Sequence, residues 1–129
     1  MKTFVKLFLV VSAVALLGAG CGKTTPPVNT SPTTPPVAAE TVTVSYTSSG
    51  FSPSSVSLKV GDAIKFINNS TMDFWPASDP HPIHTGIPDL DAKRAIAPGG
   101  SYTFTFTKPV NAGWHNHLNT TQTGAIIVQ

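Results

Sequence analysis

The sequence has one cysteine, few charges and no basic stripe, and each of these shortages excludes a class of protein. With Cys21 as its single cysteine, the chain cannot form an internal disulfide, a cysteine-rich zinc site or an iron–sulfur cluster. Charged residues make up only 11% of the chain. Without Lys2 and Lys6, which lie in a leader-like N-terminal segment, six basic residues face six acidic ones. This balance argues against nucleic acid as a partner.

The sequence also lacks an apolar run long enough to span a bilayer. Its longest run, Leu7 to Leu17, has 11 residues and follows the basic segment 1–6, whereas a spanning helix takes about 20. We therefore expect a signal peptide over 1–20. The segment that follows it, Gly18-Ala19-Gly20-Cys21, resembles a bacterial lipoprotein cleavage box, although a large aliphatic residue is usual where Gly18 stands.

This resemblance implies cleavage before Cys21 and lipidation of the cysteine, so that the protein is anchored at the bacterial cell surface or at the periplasmic face of a membrane. The alternative is ordinary secretion with a free Cys21. Both interpretations predict an exported protein. Residues 21–40 are rich in proline and threonine without apolar periodicity, which predicts a semi-extended linker.

Residues 41–129 have the pattern of one all-β domain. Apolar residues alternate with polar ones over 42–46, 56–60 and 102–106, and Ala125–Val128 has the composition of a closing strand. No segment has a helical stripe. Short strands separated by turn signals favour a Greek-key β-sandwich or barrel. The segment 69–97 has no regular period, and a loop of that length in a compact domain is usually functional.

All four histidines lie within 81–117, in two close pairs: His81 and His84 in the long loop, and His115 and His117 after Trp114. If 114–117 is extended, His115 and His117 lie on the same face, about 7 Å apart along the strand. That spacing suits two imidazoles that converge on one ion. A single histidine is more often a surface or core residue, but two such pairs favour a metal site.

The donor types restrict the metal. Imidazole with oxygen donors suits Cu(II), Zn(II) or Ni(II), and Cu(II) is the strongest in the usual affinity order. Among the loop carboxylates, only Asp79 is a candidate ligand, while Asp91 is expected to be a solvated turn former. Phe74 and Trp75 are expected to pack in the core or at its rim, or alternatively to shield the site.

The motifs resemble those of the small bacterial cupredoxins, the plastocyanin-like family. The first half of the resemblance is carried by Gly50-Phe-Ser-Pro53, Val56–Asp62 and Ile64–Asn69. The second half is carried by Ala97–Phe106, Lys108-Pro109, Trp114-His115 and Gly124–Val128. The resemblance covers essentially all of 41–129 and implies a cupredoxin-like Greek-key sandwich. It also implies that His84 is the first histidine ligand, with His81 as the alternative.

The copper loop departs from the family pattern. In register, the cysteine ligand of the family falls on Asn116, its downstream histidine on Asn119 and its methionine near Gln122. A blue copper centre is therefore excluded, because it needs the cysteine thiolate. His115 and His117 flank the vacated position, so a histidine-only site can replace it. Such a centre is expected to be pale and a poorer electron carrier.

The sequence thus predicts an exported copper-binding protein with His84, His115 and His117 as ligands and His81 as a fourth. Zinc is the second choice of metal. The resemblance also implies electron transfer and a redox or copper-transfer protein as partner. Two other functions remain open at this point: a small copper-dependent redox enzyme, and a metal-free scaffold or interaction domain that kept only the fold.

Overall fold

The computed structural model describes residues 38–129. The predicted signal peptide, the predicted lipidation of Cys21 and most of the predicted linker lie outside these residues. The described part contains eight strands and no helix: β1 Thr41–Thr47, β2 Gly50–Ser52, β3 Ser55–Leu58, β4 Ala63–Asn68, β5 Pro76–Ser78, β6 Ser101–Thr105, β7 Val110–Asn116 and β8 Asn119–Val128. Accordingly, residues 38–129 include no helix that is long and apolar enough to cross a membrane.

The strands form two four-stranded sheets, in the orders β2-β1-β4-β6 and β3-β8-β7-β5. Both sheets are mixed. In the first, β1 runs parallel to β4, while β2 and β6 pair antiparallel at the edges. In the second, β3 runs parallel to β8, and the pairs β8–β7 and β7–β5 are antiparallel. The predicted all-β sandwich is confirmed.

The core lies between the sheets and is mainly aromatic. The alternation predicted for β1 directs every second side chain inward, and the burial patterns of β4 and β8 alternate in the same way. Tyr46 stacks on Phe74 with ring centroids 4.7 Å apart, and Phe66 meets Trp114 edge-on at 5.5 Å. All four of these rings are at most 1% exposed. Such pairs stabilise a core beyond the apolar area that they bury.

The long segment 69–97 is more regular than its sequence suggests. It contains β5, and Phe74 forms an isolated bridge with Ile96. Its apolar residues Phe74, Ile87, Leu90 and Ile96 are buried, so they fasten the segment to the core. Their irregular spacing in the sequence hides this role. The predicted strand over 56–60 is shorter in the structure, because the chain turns after Leu58 and leaves Val60 exposed.

Trp114 lies where β7 and β8 touch, opposite Gly124 in the register. A Cβ at position 124 would fall well inside contact distance of the Trp114 indole. Glycine is therefore required at position 124 to leave room for the largest ring of the core.

Gly124→Ala should lower the free energy of unfolding by about 1–3 kcal/mol, because the added methyl group overpacks a rigid core site. Urea denaturation of both proteins measures the difference. Thr123→Ala, at an exposed position next along β8, is the matched control and should change stability little. Equal stabilities for Gly124→Ala and the parent would contradict the packing described here.

Asp62 fastens the beginning of β1 to the end of β3. Its Oδ1 accepts the Glu40 N–H at 2.8 Å and its Oδ2 accepts the Lys59 N–H at 2.8 Å. These two hydrogen bonds, first that from Glu40 and then that from Lys59, hold the pKa of Asp62 below its ordinary value. Since each oxygen has its own donor, an amide side chain cannot accept both bonds.

Asp62→Asn should destabilise the protein at pH 7, and the loss should shrink as the pH falls below about 4. The folded pKa lies below the unfolded one, so the ionised carboxylate stabilises the fold above the unfolded pKa. That contribution is lost as the pH falls through the folded pKa. Urea denaturation at pH 7 and at pH 3 tests this, with the exposed Asp73→Asn as control. An equal loss at both pH values would be inconsistent with a charge effect.

Candidate metal centre

The pairing of β5 with β7 brings the two histidine-bearing segments together. Ala77 lies opposite His115 in the register, and the chain leaves β5 at Ser78 directly into the loop with His81 and His84. That loop folds back over β7, since the Asp79 N–H donates to the Gly113 carbonyl at 3.0 Å.

Because the loop covers its outer face, the end of β7 is buried on both sides, and Trp114, His115 and Asn116 are all buried in succession. An alternating pattern predicts one buried face only, so the sequence did not indicate this.

The structure brings all four histidines into one cluster. One ring nitrogen from each of His81, His84, His115 and His117 lies within 4.8 Å of the others. Two pairs are in hydrogen-bond contact: His81 Nδ1 with His115 Nε2 at 3.3 Å, and His117 Nδ1 with His84 Nε2 at 3.0 Å. Both His81 and His84 therefore face the cluster. His81 is exposed, whereas His115 is 1% exposed.

Asp79 orients His115. Its Oδ1 lies 2.7 Å from His115 Nδ1, on the side of the ring away from His81. The carboxylate reaches this position by passing directly over Gly113, where a Cβ would collide with Asp79 Oδ2. Asp79, considered from sequence as a ligand, thus supports a candidate ligand instead of facing the cluster itself.

Asp91 plays the same part for His84, which the sequence did not indicate. Its Oδ2 lies 2.9 Å from His84 Nδ1, and its Oδ1 accepts the Trp75 indole N–H at 2.6 Å. Burial acts to raise the pKa of Asp91, but the bonds from the Trp75 indole, the Lys93 N–H and His84 outweigh it and lower the pKa below its ordinary value. Asp91 forms the expected turn, since its Oδ1 also accepts the Lys93 N–H at 2.8 Å. The expectation that it is solvated is wrong, because its bridge with Ala77 draws it against the second sheet and leaves its side chain 19% exposed.

His117 lies one residue beyond the end of β7, in a turn. The extended geometry expected for 114–117 therefore ends at Asn116, where a register shift interrupts the ladder with β8. His117 is held by its N–H, which donates to the Trp75 carbonyl at 2.7 Å, and by the Trp75 ring, with centroids 4.4 Å apart. Trp75 thus shields the cluster, which was the alternative interpretation of that residue.

The surroundings of His117 favour its neutral form. Burial lowers the pKa of His117, and the neighbouring imidazoles of His81, His84 and His115 lower it further. Only a neutral imidazole offers a lone pair to a metal ion. The crowding of four rings therefore prepares this residue for metal binding and not for carrying a charge.

The two carboxylates define which nitrogens carry protons. An ionised carboxylate only accepts hydrogen bonds, so Nδ1 of His84 and of His115 must be the protonated nitrogen. Their Nε2 atoms are then unprotonated and point into the cluster. The Nε2 lone pair of His84 accepts from His117 Nδ1–H, and that of His115 accepts from His81 Nδ1–H. Two lone pairs are thus already available to a metal ion. His81 and His117 face the cluster with Nδ1, so their proton has to move from Nδ1 to Nε2 before they can bind it.

These donors fit a metal ion. Four neutral imidazoles from two segments, two of them oriented by carboxylates, are a donor set suited to Cu(II), Zn(II) or Ni(II). Asn116, where the resemblance implies a cysteine ligand, does not face the cluster. Its Oδ1 accepts the backbone N–H groups of Trp75 and Leu118. Its Nδ2 donates to the Tyr46 hydroxyl and to Gln122 Oε1.

The fold resembles several solved structures. A mutant of amicyanin in the Cu(I) state is similar with a TM-score of 0.60 at 18% identity, over 69% of this chain and 82% of that one. A purple cupredoxin from Nitrosopumilus maritimus is similar with a TM-score of 0.58 at 13% identity, over 71% of this chain and all of that one. A mutant fern plastocyanin is similar with a TM-score of 0.56 at 16% identity, over 68% of this chain and all of that one.

Residues 38–129 therefore have the cupredoxin fold, as the motifs predicted. No family model matches the sequence, and no curated protein sequence matches it. The identities of 13–18% show the fold alone, so the chemistry has to be argued from the residues of this chain.

In the metal-free protein, His84 and His115 should be Nδ1–H tautomers, because a carboxylate accepts from each of these nitrogens. Long-range ¹H–¹⁵N spectra distinguish the two ring nitrogens. Asp79→Ala, which removes the acceptor of His115 Nδ1–H, should change the ring-nitrogen pattern of His115 and leave that of His84 intact, so that His84 is the internal control. A His115 pattern that is the same in both proteins would contradict the assigned hydrogen bond.

Proposed function

We propose that this protein binds one copper ion through His81, His84, His115 and His117 and handles copper by storing or delivering it. The observation that carries the proposal is the convergence of four ring nitrogens to within 4.8 Å of one another. Copper is favoured because Cu(II) binds imidazole sites more tightly than the other divalent ions of its row. The amicyanin and plastocyanin that share the fold support the same choice, and zinc is the second candidate.

Each histidine has its own part in this site. His84 and His115 present Nε2 lone pairs that are already oriented by Asp91 and Asp79. His117 is positioned by Trp75, and His81 contributes from the exposed side of the loop. A bound copper ion would supply Lewis acidity and a one-electron couple. The chain supplies the ligands, their tautomers and partial exclusion of water.

A fast electron carrier is not favoured by this arrangement. The residues described by the structure include no cysteine, and Asn116 is committed to a buried hydrogen-bond network with Tyr46 and Gln122. A blue site needs a thiolate at this point. We therefore favour copper storage or delivery, for which the exposed ligand His81 offers an access route for an incoming or departing ion.

We place this activity outside the cytoplasm, on a bacterial membrane. The support is the basic and apolar segment 1–17 followed by Gly18-Ala19-Gly20-Cys21, together with the Pro/Thr-rich stretch that separates it from the domain. A lipid on Cys21 would then be the membrane partner, and a copper-donating or copper-accepting protein the soluble one. Mass spectrometry of the mature N-terminus tests the lipid directly.

One equivalent of Cu(II), added against a competing chelator, should give a single axial electron paramagnetic resonance signal with nitrogen hyperfine structure. Changing both His115 and His117 to Ala should abolish it. The loss of affinity should exceed the roughly 10–100-fold that removal of an outer hydrogen-bond partner costs, because two direct ligands are removed.

The matched control is Thr85→Ala, an exposed position beside His84 that contributes no ring nitrogen to the cluster. It should retain both the signal and the affinity. Copper that remains with the chelator in the parent protein, or a signal that survives in the His115 and His117 double variant, would refute the proposed site.

A further inference from the structure

The two carboxylates behind the histidine cluster have no basic partner. Within residues 38–129, Asp91 is hydrogen-bonded to His84 and Asp79 to His115, and neither acid pairs with a lysine or an arginine. Both acids lie on the far side of a candidate ligand from the cluster. The cluster and its surroundings therefore hold two negative charges when all four imidazoles are neutral.

From this charge balance, and on the basis of the proposed function, we infer that the cluster selects divalent over monovalent cations, so that it prefers Cu(II) and Zn(II) to Cu(I). A divalent ion neutralises Asp79 and Asp91, whereas a monovalent ion leaves one negative charge. A net charge is unfavourable at a site where His115 is 1% and the His84 side chain 9% exposed. A sulfur-free donor set favours the divalent state as well, because Cu(I) prefers thiolate and thioether ligands.

The hydrogen bonds act in the same direction as the charges. A carboxylate that accepts from Nδ1–H makes the opposite Nε2 a stronger base and a better donor to a doubly charged ion. Asp91 should contribute more than Asp79, since its side chain is 19% exposed and that of Asp79 is 43% exposed. The charge of Asp79 is therefore screened more strongly by water.

The test compares three metal affinities of the full chain in competition with chelators: Cu(II), Zn(II) and, under anaerobic conditions, Cu(I). Asp91→Asn should lower the affinities for Cu(II) and Zn(II) by about 10–100-fold. The loss of Cu(I) affinity should be several-fold smaller than the loss of Cu(II) affinity. Asp79→Asn should act in the same direction, but less strongly. The matched control is Asp89→Asn, an exposed acid two residues away, which should leave all three affinities unchanged.

The ratio of the Cu(II) to the Cu(I) affinity is the decisive quantity, because a merely structural role of Asp91 would weaken all ions alike. An equal loss for the three ions, or a ratio that Asp89→Asn changes as much as Asp91→Asn, would overturn the inference. Near-ultraviolet circular dichroism checks that each variant is folded. If Asp91→Asn does not fold, Asp79→Asn decides by the same ratio.

The failure of the proposed function has a different signature. A parent protein that binds Zn(II) but no copper would overturn the copper function. The inference would then be decided by the ratio of the Zn(II) affinity to the affinity for Ag(I), a redox-inert monovalent ion. A parent protein that binds copper with an unchanged ratio in both aspartate variants would overturn the inference alone. A parent protein that binds none of these ions would overturn both.

Discussion

The pairing of β5 with β7 is the interaction on which the candidate site depends. Only three residues of β5 take part, yet this short ladder positions the loop that follows against the end of β7. Asp79, the first residue of that loop, is bound to Gly113 by its N–H and reaches His115 with its side chain. This pairing therefore brings the loop with His81 and His84 next to His115 and His117.

The cluster combines neutral ligands on the inside with charges at its edge. Burial and the three neighbouring imidazoles lower the pKa of His117, so this ligand is held in its neutral form. The carboxylates of Asp79 and Asp91 are placed where they hold protons on the outer nitrogens, and so keep the inner lone pairs free. The same arrangement that orients the ligands therefore also determines which cation charge the site tolerates.

Asn116 stands at the position where the resemblance to the cupredoxins implies a cysteine ligand. The asparagine is buried, and both its oxygen and its nitrogen are used in hydrogen bonds that join β7 to β1, to β8 and to the loop before β5. A buried polar side chain is tolerated when its groups are all paired. The position thus has a structural role, while the neighbours on either side, His115 and His117, carry the candidate chemistry.

Much of this protein was readable from the sequence, since the alternation of apolar and polar residues suffices to predict strands and an all-β sandwich. The grouping of all four histidines within 81–117 likewise suffices to predict a metal site. What only the tertiary structure decided is the surroundings of that site. Asp91 and Trp75 are separated from their partners His84 and His117 by stretches with no pattern, and their contacts arise because a bridge from Ala77 to Asp91 folds the loop onto the sheet. Periodicity reports which face of an element is buried, but it contains no information on which loop covers that face.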